Sequence, residues 1–108
     1  MSGFIPWHKV DNHLRAMRSI WLSTTRPDGR PHAVPVWYWW TGKTIYFATH
    51  RDSQKAKNLA HQPRVVIHAG DGDDVIILQG TAEVVIDQAE KERVNVVLPT
   101  LAAHSNGR

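Results

Sequence analysis

Thr49, Ser53, Gln54, Lys55, Lys57 and Asn58 crowd into the segment 49–58, and their types suit the binding of an anion. A serine ahead of a polar, alanine-bearing run reads as a helix N-cap, and a helix start offers unpaired backbone N–H groups and the positive end of the helix dipole. The two hydroxyls and two lysines add hydrogen bonds and charge. Lys55 and Lys57 point about 200° apart on an ideal helix, so both reach one phosphate only if it sits near the axis at the start of the helix. Otherwise one lysine binds and the other is a surface charge. A plain solvated helix is the alternative reading of the same residues.

A second constellation is Trp37-Tyr38-Trp39-Trp40. On a strand, Trp37 and Trp39 share one face and Tyr38 and Trp40 the other, so one pair is expected in the core and the other is left for a ligand or a partner copy. Pro35 lies just upstream, where it cannot donate to a ladder, so its strand is either an edge or broken by a bulge. The seven histidines show no metal-binding spacing, and no metal is expected. Asp71, Asp73 and Asp74 resemble a calcium loop only in composition, because Ala82 stands where the distal glutamate belongs. Phosphate-loop, nucleophile-elbow and dinucleotide-binding glycine motifs are absent too.

Several elements must position these residues. Asp11 is a candidate cap for a short helix with Val10, Leu14 and Met17 on its buried stripe, acting as a lid over a barrel end. Ser19 to Thr25 alternates as a half-buried strand with Ile20, Leu22 and Thr24 on one face. Pro27-Asp28-Gly29 turns the chain into an antiparallel strand from His32 to Trp40, and Gly42 turns it again into Thr44 to Thr49. Ser53 then opens a helix with Ala56, Leu59 and Ala60 as its apolar positions, which Pro63 ends. Val65 to His68 is a strand, residues 70–74 a turn, and Val75 to Ile86 one long strand that bulges or bends at Gly80. Asp87 with Glu90 in capping-box position predicts a final helix with Val94, Val97, Leu98 and Leu101 on its stripe, ended or kinked at Pro99.

Five short strands with regular turns make the fold class mainly β, a small antiparallel barrel with short helices at its ends. One domain, residues 1–108, is all that this length allows, and a shared dimer core would supplement its modest interior. Without cysteine the chain has no disulfide, thiolate site or cysteine nucleophile, which suits a reducing cytoplasm. No stretch approaches the roughly 20 apolar residues that span a bilayer, so no membrane partner is expected. Residues 1–64 hold ten Lys or Arg against three Asp, a net +7; residues 65–108 hold three against seven acids, a net −4. That asymmetry favours an anionic ligand on the first half, or a nucleic acid. Because the basic residues do not interleave with the aromatic cluster, nucleic acid is not the expected partner.

The segment Trp21 to Val85 resembles the pyridoxamine 5'-phosphate oxidase-like, FMN-binding split-barrel superfamily, in particular its coenzyme F420 (deazaflavin)-dependent oxidoreductase branch. The matching blocks are Leu22 to His32, Val34 to Tyr38, Ile45 to Thr49, Lys55 to Leu59, Pro63 to Val66 and Gln79 to Val84. The resemblance implies an antiparallel split β-barrel of six strands that forms a cytoplasmic homodimer. It also implies a cofactor, F420 or FMN, in a groove at each subunit interface. Ser53, Gln54, Lys55 and Lys57 would hold its phosphate end, with Thr49 and Asn58 nearby. The ring would lie along His32 to Trp37, approached by Pro35 and Val36. Trp37 and Trp39 would wall a small organic substrate in hydride transfer; no catalytic acid or base is assigned. A cofactor carrier or sensor without turnover is the alternative. Two departures stand out. Relatives with true pyridoxamine 5'-phosphate oxidase activity carry arginine where His32 aligns, so a weaker grip on FMN is expected and that particular activity is not. The chain is also expected to end after its third helix, without the usual C-terminal strand.

Overall fold

The computed structural model describes residues 7–70, 75–98 and 101–105. Its elements are α1 (Trp7–Ala16), β1 (Ser19–Thr25), β2 (Pro31–Trp37), β3 (Trp39–Trp40), β4 (Ile45–His50), α2 (Gln54–His61), β5 (Arg64–Gly70), β6 (Val75–Thr81), β7 (Glu83–Ile86), β8 (Arg93–Leu98) and β9 (Leu101–Ser105). All pairings are antiparallel, in a five-stranded sheet of order β2-β1-β5-β6-β9 and a four-stranded sheet of order β3-β4-β8-β7. The mainly β class and the split-barrel fold are as expected, but the described residues form nine strands where five were read from periodicity and six from the resemblance.

Alternation builds the interior. Ile20, Leu22 and Thr24 of β1 face inward with Ile67 of β5, Leu78 of β6 and, from the other sheet, Ile45, Phe47, Val96 and Leu98. Fully burying each such aliphatic side chain is worth about 1.5–3 kcal/mol. The β1–β2 hairpin closes through Gly29, whose φ of 90° is open to glycine and whose N–H donates to Arg26 O at 2.8 Å.

The chain passes between the sheets at two places the sequence blurred. What read as one strand from His32 to Trp40 breaks at Tyr38: β2 is an edge of the larger sheet and β3 an edge of the smaller. Register runs through Pro35, opposite Trp21, without a slip, so the proline marks an edge rather than a bulge. Likewise Val75 to Ile86 is two strands. Gly80 is paired on both sides, with Val65 and Leu101, and the change of sheet falls at Ala82, whose N–H donates to Pro63 O at 2.8 Å.

The expected last helix is not one. Residues 93–98 form β8, between β4 and β7, and β9 follows at the edge of the larger sheet. Asp87 does accept from backbone N–H groups, of Ala89 at 2.8 Å and Glu90 at 3.0 Å, but the loop it ties is the β7–β8 hairpin. Valines prefer a ladder, and β4 supplies one over the whole of β8. Two strands thus stand in place of the expected third helix. The turn expected over 70–74 lies mostly outside the described residues, as does the kink at Pro99.

Asp11 does not cap α1 but sits within it, bonded to Arg15 at 2.9 Å and accepting from Trp40 Nε1 at 2.7 Å. Val10 and Leu14 are buried; Met17, beyond the helix, packs against the core. No helix among the described residues is long and apolar enough to cross a membrane.

Candidate functional site

α2 begins as expected. Ser53 is its N-cap, its Oγ accepting from Ala56 N at 3.2 Å and lying 3.1 Å from Thr49 Oγ1 at the end of β4. Asn58, fully buried at 0 % exposure, donates through Nδ2 to Thr24 Oγ1 at 2.9 Å and accepts from Gln54 Nε2 at 2.7 Å. Thr49, Ser53, Gln54 and Asn58 are therefore bonded to one another or to β1, and this network fixes the start of α2 against the sheet. Of the expected apolar positions Ala56 and Leu59 are buried, whereas Ala60 is exposed and Asn58 takes its place.

The two lysines part company. Lys57 is exposed, while Lys55 is half-buried and, with Pro35, Val36, Trp37 and Ala48, lines a cleft of about 290 Å³ between β2, β4 and the start of α2. Neither has a carboxylate partner among the described residues. His32 lies on β2 opposite Thr24, on the inward face that also carries Val34 and Val36. Its Nδ1 is buried with no hydrogen-bond partner among the described residues. Burial first, then the positive charges of Arg26 and Lys55, hold this imidazole below its ordinary pKa, so it is neutral at pH 7. Of these three groups only Lys55 lines the cleft; Arg26 and Lys55 reach His32 through their charge.

Arg26 escaped the sequence reading. The signal was there: it stands two residues after Thr24 on the same alternating face, and the hairpin register places Thr24 against His32. Ala48 was missed as well, because only the approach of β4 to β2 makes it part of the cleft.

The aromatic run divides as alternation predicts, even though the strand breaks within it. Trp37 and Trp39 are 84 % and 77 % exposed, while Tyr38 and Trp40 pack on the core. Tyr38 donates to Leu14 O at 2.6 Å, and burial pushes its hydroxyl up to about 12. With Trp40 held by Asp11, α1 anchors both inward aromatics, and their neighbours are left pointing out.

A larger concavity, about 570 Å³, lies at the five-stranded sheet among Ser23, Thr25, Arg64, Gln79 and Thr81. It shares no lining residue with the cleft at Lys55, and the cations around His32 do not line it. Each has one cation in its lining, Arg64 in the larger and Lys55 in the smaller, and only the smaller is also lined by an aromatic side chain, Trp37. Among the described residues, no group of three or more His, Asp or Glu side chains could hold a metal ion.

This arrangement fits a ligand with a planar apolar part and an anionic end. Pro35, Val36 and Trp37 offer a wall, and Lys55 the one charged side chain that lines it.

No curated protein matches the chain. Among solved structures, it is similar to a conserved hypothetical protein from Mycobacterium tuberculosis, at 24 % identity and a TM-score of 0.78 over 96 % of this chain and 87 % of that one. An F420 reductase aligns at 23 % identity and a TM-score of 0.70, over 82 % of this chain and 89 % of the other. A heme storage protein from Vibrio cholerae aligns at 12 % identity and 0.73, over 89 % and 91 %. These likenesses show the fold. The model described as pyridoxamine 5'-phosphate oxidase matches residues 7–103, nearly the whole chain, and on that match the protein belongs to the pyridoxamine 5'-phosphate oxidase family.

Proposed function

We propose that the protein is a flavin- or deazaflavin-dependent oxidoreductase that binds coenzyme F420 or FMN in the cleft at Lys55 and acts on a small organic substrate. The observation that carries this reading is the cleft itself: an apolar wall on β2 ends at Lys55, in the first turn of α2, which has no carboxylate partner among the described residues. Membership of the family and the likeness to an F420 reductase support it.

When bound, such a cofactor supplies hydride chemistry that no side chain can. The chain's own residues bind, orient and exclude water. Lys55 holds the anionic end, Pro35 and Val36 set the plane of the ring, and Trp37 and Trp39 wall the substrate. The network of Thr49, Ser53, Gln54 and Asn58 keeps Lys55 at the mouth of the cleft. A homodimer belongs to the same reading. It is supported by Trp37 and Trp39 and by Val84, Val85 and Ile86 on β7, large apolar side chains exposed in the single chain.

One observation favours a second reading, a carrier without turnover. Lys55 is the only titratable side chain among the five residues lining the cleft, and a heme storage protein shares the fold. Turnover separates the two. Protein loaded with reduced FMN or reduced F420 is mixed with small quinones and nitroaromatics, and cofactor oxidation is followed by absorbance under anaerobic conditions. The oxidoreductase reading expects at least a tenfold acceleration over free cofactor with one acceptor. Tight binding with no acceleration for any acceptor leaves the carrier.

A further inference from the structure

A third concavity, of about 330 Å³, lies between the end of α1 and β3, lined by Leu14, Arg15, Met17, Tyr38, Trp39 and Trp40. None of these residues lines the cleft at Lys55. Its two sides are tied together before any ligand arrives: Tyr38 donates to Leu14 O at 2.6 Å, and Trp40 Nε1 donates to Asp11 Oδ1 at 2.7 Å. Leu14, Met17, Tyr38 and Trp40 belong to the core or pack on it, whereas Trp39 stands exposed. The volume falls at the lower end of the roughly 300–1,000 Å³ typical of ligand pockets, which suits a single small ring system.

Arg15 is the one charged side chain in this lining. Its Nε donates to both carboxylate oxygens of Asp11, at 2.9 and 3.0 Å. The turn at Gly42 stands beside its other edge, where a methyl group on that glycine would lie 3.3 Å from Nη2. The guanidinium is thus oriented, yet its two Nη groups have no hydrogen-bond partner among the described residues. A pair of N–H groups left free in one plane matches a planar carboxylate, which accepts from both. Asp11 does not cancel the local charge: residues 7–18 and 38–46 hold Lys9, Arg15, Arg18 and Lys43 against that one acid, a net +3.

We propose that this concavity binds a small planar aromatic carboxylate, with its ring against Trp39 and Met17 and its carboxylate on the Nη groups of Arg15. Binding forms hydrogen bonds and no covalent bond. Trp39 is also a wall for the substrate of the proposed oxidoreductase, so the inference names a substrate class for it; in that respect alone it rests on the cofactor reading.

The test is calorimetric titration of the full chain with naphthoate, its uncharged amide and naphthyl phosphate. Wild type is expected to bind the acid about tenfold or more tightly than the amide, as a charge-assisted hydrogen bond requires, and Arg15→Gln to bind the two alike. Arg15→Lys, which keeps the charge and loses the fork, recovers part of the difference. Lys55→Ala leaves the affinity for the acid unchanged, because Lys55 is not in this lining. Equal affinity for acid and amide in wild type overturns the proposal, as does tighter binding of the phosphate than of the acid, or loss of acid binding in Lys55→Ala. Should Arg15→Gln fail to fold, the wild-type comparison and Arg15→Lys decide the matter. Acid binding by a protein that takes up neither FMN nor F420 supports this site and removes its link to the cofactor reading.

Discussion

Asn58 shows how a residue can be singled out for one reason and kept for another. Its place in a polar run after Ser53 suggested a cofactor contact, yet its amide is fully buried and spans from α2 to Thr24 on β1. Asn58→Ala leaves the Thr24 hydroxyl and the Gln54 amide short of a partner, at a cost of about 1–3 kcal/mol. Urea unfolding is expected to show stability lowered by that amount, read as a lower midpoint at an unchanged slope; an unchanged midpoint would remove Asn58 from the scaffold. Sequence could identify the capping serine and the lysines, because those depend on neighbours along the chain. It could not choose between Lys55 and Lys57, since the choice depends on which of them faces the cleft that β2 and β4 form. The same holds for Arg26, whose relation to His32 is a matter of hairpin register.

At the level of elements, short-range turn chemistry was legible and long-range pairing was not. Gly29 and Ser53 do what their types suggest. Arg93 to Leu98 carried two signals at once: Val94, Val97 and Leu98 at helical spacing, and Val94, Val96 and Leu98 at strand spacing. The second set is the buried one, because β4 lies alongside. α1 offers a test of its docking through Tyr38. Since burial raises its hydroxyl to about 12 while an unfolded chain keeps the ordinary 10, the folded state holds the proton longer. The contribution is complete below pH 10 and is lost as pH rises toward 12. Wild type is expected to lose thermal stability over that window by more than Tyr38→Phe does; parallel loss in the two would detach Tyr38 from the stability of α1.

Across the whole molecule, the cleft at Lys55 exists because the sheets part. β2 leaves one sheet and enters the other at Tyr38, β4 comes from the second sheet, and α2, linking β4 to β5, brings Lys55 to the gap between them. The family resemblance anticipated that architecture where periodicity alone read five strands and three helices. Topology of this kind depends on which edges meet, and no local pattern records that. The central claim, that the gap is a cofactor site, is tested most directly by titrating the protein with FMN and with coenzyme F420 while following tryptophan emission, because Trp37 lines the cleft. Saturable quenching by one of the two is expected, with an affinity at least tenfold weaker in Lys55→Ala. No quenching by either cofactor in the folded protein, or equal affinity in Lys55→Ala, would contradict it.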